Sequence, residues 1–166
     1  MLVAPTTAIA VVVGVALVLL CVPEGAVAPP SLIEIQEKRL FDEWTVDSKH
    51  GRAALVYFYA HWSPVCKAFT KEYGKVANFF GRDTYSEEIM ITKIDGPNFH
   101  QLSRSLGIES FPYVLLYSID ELGKYEKYTG ELESEELIKW VSDRLHPRML
   151  KKGKKIPPKP PKRGIA

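Results

Sequence analysis

The residues of this 166-residue chain that could do chemistry gather in Tyr59-Ala-His-Trp-Ser-Pro-Val-Cys-Lys-Ala-Phe69, where Ser63 stands three before Cys66 and two after His61. A serine nucleophile needs a base within hydrogen-bond reach and a third group to orient that base. His61 is near in sequence, but no neighbour is placed to orient it, which disfavours hydrolysis by Ser63. His61 and Cys66 supply only two ligands, too few for a zinc site, and no metal or other cofactor is expected. Cys66 has two readings: a small, inert, partly buried residue, or a single thiol able to accept a disulfide from a client. Ser63 also has a structural use, because a hydroxyl residue followed by proline is a helix start, with Ser63 as N-cap and Pro64 at the first helical position.

Positioning these residues requires a frame. Ala53 to Tyr59, "AALVYFY", is apolar, β-branched and aromatic, and reads as a strand buried on both faces. A helix then runs from Pro64 to about Phe80, where Gly81 ends it. Ile89 to Ile94 and Val114 to Tyr117 read as further core strands, with Asn98 to Leu106 a helix closed by Gly107 between them. Ser31 to Ile35 is expected as an edge strand, Gln36 to Thr45 as a helix, and Lys124 to Tyr128 as an exposed strand. Ser134 to Leu145 forms a final amphipathic helix with Leu137, Ile138, Val141 and Leu145 on one side. The order predicts an α/β layer structure, a mixed central sheet of four or five strands flanked by helices on both faces. No internal repeat is found.

The two ends differ from this body. Ala8 to Val22 is an unbroken apolar run, and Ala26-Val27-Ala28 supplies small residues at the spacing a signal peptidase reads, so residues 1–28 are expected to be a signal peptide. Leu2 to Val22 gives 21 uncharged residues, so an uncleaved anchor through residues 2–22 is the alternative. Cys21 lies in this segment, which leaves Cys66 as the lone thiol of a mature domain over residues 31–146. Eight of the 22 Lys and Arg lie from Arg148 onward with no acid, which leaves residues 1–147 with 14 basic against 20 acidic side chains. Residues 147–166 are expected to be a basic, Pro/Lys-rich disordered tail. Nucleic acid is not an expected partner for a lumenal chain.

"LVYFYAHWSPVCKAFTKEY" resembles the active-site strand and helix of thioredoxin-fold proteins, in the protein disulfide isomerase branch, whose pattern is roughly V-x-F-Y-A-x-W-C-x-x-C-K. "ITKIDGPNFHQLSRSLGIESFPYVLLY" is similar to the strand, helix and cis-proline loop that follow, and "YEKYTGELESEELIKWV" to the last hairpin and helix. Trp62, Cys66, Lys67, Asp95, Pro112 and Gly130 fall at the family's places. The resemblance implies a thioredoxin fold, a cis peptide bond before Pro112, and a surface that takes an extended peptide by backbone pairing. Several parts of the dithiol machinery differ. Ser63 stands where the attacking cysteine belongs, Tyr57 where the buried acid belongs, Lys71 in place of the helix-kinking proline, and Glu131 or its neighbours in place of an arginine. A serine hydroxyl stays protonated at a helix start and forms no mixed disulfide.

The reading that follows is a disulfide-isomerase-like protein of the secretory pathway, in the lumen of the endoplasmic reticulum by resemblance, that has lost dithiol exchange. It would act in protein folding by holding extended or unfolded clients at Trp62, Ser63, Val65, Phe111, Pro112 and Tyr113. The runner-up is a single-cysteine isomerase or reductase using Cys66 with glutathione or another redox protein. A third reading is a secreted or membrane-anchored adaptor. The final Arg-Gly-Ile-Ala is no retrieval signal of the Lys-Asp-Glu-Leu kind.

Overall fold

Strand β2, Ala53–Tyr59, is the axis of the molecule, and its burial follows from its alternation. Ala53, Leu55 and Tyr57 enter one apolar cluster, and Ala54, Val56 and Phe58 enter a second on the opposite face. Each large apolar side chain so buried contributes about 1.5–3 kcal/mol. The coordinates are a computed structural model, which describes residues 32–47, 51–121, 123–151 and 153. The segment expected to be a signal peptide or anchor lies outside the described residues. Among the described residues no helix is long and apolar enough to cross a membrane.

The elements run β1 (Ile33–Glu34), α1 (Lys38–Thr45), β2, α2 (Pro64–Phe80), α3 (Asp83–Ser86), β3 (Ile89–Asp95), α4 (His100–Ser105), β4 (Tyr113–Tyr117), β5 (Tyr125–Lys127) and α5 (Ser134–Lys151). The sheet has five strands in the order β1-β3-β2-β4-β5. β1 and β2 pair parallel with β3, and β4 pairs antiparallel with β2 and β5. The expected mixed sheet is present. α2, α3 and α5 pack on the face carrying Leu55 and Tyr57, while α1 and α4 pack on the face carrying Val56 and Phe58. The short turn of helix α3 carries no sequence signal strong enough to have been foreseen.

One boundary departs from expectation. The final helix does not stop at Leu145 with a tail beginning at residue 147; it continues through Pro147 to Lys151, and the rest of the expected tail, from residue 154, lies outside the described residues. Proline removes one backbone donor and ordinarily breaks a helix. Here the apolar stripe carries past it: Leu137, Val141, Leu145 and Met149 recur every four residues, and all four are buried in the same cluster. His146 Nε2 also meets the Tyr85 hydroxyl at 3.1 Å, tying this last stretch to α3.

Candidate functional site

Register brings the motif together. Tyr59 at the end of β2 sits beside Asp95 at the end of β3, and Phe58 faces Tyr113 at the start of β4. The residues after β2, those after β3 and those just before β4 therefore meet at one end of the sheet. Loops at the carboxyl ends of such strands are where α/β sheets place their sites.

The turn after β2 is closed by the Ser63 amide donating to Ala60 O at 3.0 Å. α2 then starts as expected. Ser63 Oγ accepts from the Cys66 amide at 3.4 Å, and Pro64 occupies the first helical position. Ser63 is a buried cap, and its hydroxyl is not presented to a client. Cys66 is 1% exposed, and its Sγ accepts from the Ala60 amide at 3.4 Å. Beneath it, the Tyr57 hydroxyl donates to Cys66 O at 3.0 Å and stands 3.4 Å from Thr70 Oγ1. Burial is the chief cause that pushes this phenol well above its ordinary range. It is a neutral donor where an acid would be a proton acceptor. α2 runs unbroken through Lys71, whose amide a proline would lack.

Of the residues expected to surround a peptide, Trp62 and Val65 are 64% and 52% exposed. The Phe111–Pro112 bond is cis. Phe111 and Tyr113, however, are half-buried and pack against the α1/α4 cluster. Gly96 explains the Phe111 position, because a Cβ there would lie 2.1 Å from the ring, so the aromatic rests directly on bare backbone. Lys127 Nζ covers Tyr113 at 4.3 Å from the ring centre. The exposed apolar surface is thus narrower than the sequence implies, and centred on the turn of residues 60–65.

His61 gains the orienting partner that the neighbouring sequence does not supply. Its Nδ1 lies 3.0 Å from Asp95 Oδ2, and Asn98 Nδ2 donates to the same oxygen at 3.0 Å. Asp95 Oδ1 is buried without a hydrogen-bond partner. Ser63 Oγ remains committed to the helix cap, so the pair is not completed into a nucleophile's triad. Among the described residues no group of three or more His, Cys, Asp or Glu side chains is arranged to hold a metal.

The family profile described as Thioredoxin matches residues 33–143, most of the chain. The chain belongs to the thioredoxin family. Its relatives include Protein disulfide-isomerase A2 of Pongo abelii, 31% identical over 99 residues, which cover 60% of this chain and 18% of the relative. Protein disulfide-isomerase of Gallus gallus is 28% identical over 96 residues, covering 58% of this chain and 18% of the relative. The chain thus spans about a fifth of the length of these disulfide isomerases. Among solved structures, the Trx4 domain of ERdj5 superposes with a TM-score of 0.59 at 20% identity, covering 72% of this chain and 99% of that one. The first thioredoxin domain of mouse Protein disulfide-isomerase A4 gives 0.55 at 23%, covering 81% and 86%.

Within this thioredoxin domain, Gly130 serves packing: the Tyr128 ring lies over it, Tyr128 Oη would be 2.6 Å from an added Cβ, and the hydroxyl donates to Glu131 O at 2.6 Å. Sequence reasoning missed Asp95 as the partner of His61 and Gly96 as the seat of Phe111. The first depends on β2–β3 register across 34 positions and the second on the residues after β3 meeting those before β4, and no local spacing encodes either.

Proposed function

We propose that this protein-disulfide-isomerase-like thioredoxin domain acts in protein folding by holding extended polypeptide segments and does not exchange dithiols with them. The observation that carries this reading is the state of the two motif residues: the Ser63 hydroxyl caps α2, and the Cys66 thiol is buried against the Ala60 amide. A thiolate is the nucleophile in disulfide exchange, and it must be reached by the other sulfur. Trp62 and Val65 supply an exposed apolar contact at the end of the sheet that carries cis Pro112, where an extended chain can pair with backbone. The reading includes a secretory route, supported by the apolar run of Ala8 to Val22 and its small-residue cut site, with the lumen of the endoplasmic reticulum as destination.

One observation favours the single-thiol alternative. The Ala60 amide donates to Sγ at 3.4 Å and holds the thiol in one orientation under the Trp62 turn, so a client or glutathione that reached Cys66 would meet a positioned sulfur. Insulin reduction separates the two readings. The expected result is turnover at the uncatalysed rate, together with binding of a peptide that Trp62→Ala weakens about tenfold. Turnover comparable to a two-cysteine thioredoxin domain, abolished by Cys66→Ala, defeats the proposal.

A further inference from the structure

We infer that His61, held by Asp95, is a positioning residue that makes peptide docking at the Trp62 turn tighter in acid; this rests on the docking function proposed above. His61 and Trp62 are the two middle residues of the turn closed by the Ser63 amide and Ala60 O. The bond from His61 Nδ1 to Asp95 Oδ2 at 3.0 Å fastens that turn to the end of β3. The next residue is Gly96, whose amide donates to Tyr59 O at 2.8 Å and whose bare Cα seats the Phe111 ring. Phe111 is joined by its cis bond to Pro112. The link is therefore continuous, from exposed Trp62 through His61, Asp95, Gly96 and Phe111 to the proline loop, and it joins the two flanks between which an extended peptide would lie.

The strength of the His61–Asp95 link depends on protonation. A charge-assisted bond from an imidazolium to a carboxylate is about twice as strong as a neutral one. Histidine is the side chain that ordinarily changes charge between about pH 5 and 8. The surrounding groups do not offer Asp95 a competing cation. Asn98 shares its Oδ2 as a neutral donor. Tyr59 of β2 gives its hydroxyl to Glu34 of β1, and Lys93 of β3 is engaged by the other oxygen of Glu34 at 3.1 Å. Lys67 of α2 and His100 of α4 are exposed to solvent. Asp95 Oδ1 is buried without a partner, so hydrogen bonding reaches this carboxylate only through Oδ2.

The test uses the full chain and a rhodamine-labelled, end-blocked decapeptide of alternating apolar and neutral polar residues, which has no titrating side chain of its own. Fluorescence anisotropy should give a Kd about threefold lower at pH 5.5 than at pH 8, the size of a partly exposed ion pair's contribution. His61→Gln, at an exposed position, and Asp95→Asn should each flatten that profile. The Trp62 indole N–H resonance of the free protein should move with pH in the wild type and stay fixed in His61→Gln, which removes the titrating ring. A flat wild-type profile with measurable binding, or a slope that persists in His61→Gln, overturns the inference while leaving the docking function standing. Absence of peptide binding at both pH values overturns the docking function, and this inference with it.

Discussion

At the scale of single residues, the motif is decided by what its polar atoms already touch. Ser63 Oγ accepts the Cys66 amide, one of the donors that a helix start leaves without an intrahelical partner. Ser63→Ala removes that acceptor and should lower stability by about 1 kcal/mol, read as a reduced midpoint in urea with an unchanged slope. It should leave alkylation of Cys66 as slow as before, since the thiol's burial does not depend on the hydroxyl. The serine cap and the helix start at Pro64 were legible in the sequence, because each is a local preference written in adjacent residue types, whereas the cis bond at Pro112 was implied only by the family resemblance, since X-Pro bonds are ordinarily trans. The seat of Phe111 was not: the ring turns inward onto Gly96, fifteen positions earlier in the chain, through a contact made only after the sheet has formed.

At the scale of elements, agreement and departure have one cause. β2 spans Ala53–Tyr59 as the unbroken run of β-formers predicts, and α2 runs Pro64–Phe80 between its two signals, because burial and capping point the same way there. At α5 the two signals conflict. Pro147 argues for an end, while Met149 continues the buried stripe of Leu137, Val141 and Leu145, and packing prevails over the lost donor. Met149→Ala therefore acts as a core truncation and not as a change in a loose tail. It should cost about 2–5 kcal/mol in equilibrium denaturation, where a substitution in an unstructured extension would cost nothing measurable.

At the scale of the whole molecule, α2 and α5 are joined by one carboxylate as well as by their apolar faces. Glu72 Oε2 accepts from the Ser134 hydroxyl at 2.8 Å and from the Ser134 amide at 3.3 Å, where the start of α5 favours negative charge. Its other oxygen takes Lys75 Nζ at 2.6 Å. Lys75 first, and Ser134 after it, hold the Glu72 carboxyl down to about 2 from an ordinary 4.5. A depressed carboxyl stabilises the fold above its unfolded pKa, and that contribution is lost as the proton is taken up on the way down. The contribution of Glu72 should thus be complete above about pH 5 and vanish between 4.5 and 2. Glu72→Gln should be less stable than the parent at pH 7 and equal to it near pH 2, as followed by urea midpoints across that range.

The course of α5 also sets how the molecule can be held. β2 begins at Ala53 and ends beside the motif, and α5 leads away from that end until His146 reaches Tyr85 beyond the far end of α2. A tether attached on the last stretch of α5, beside His146, would grip the protein by its foot. Immobilised on a sensor chip this way, it would turn the Trp62 turn and the proline loop toward the passing solution, so capture and ligand access would not compete for the same side.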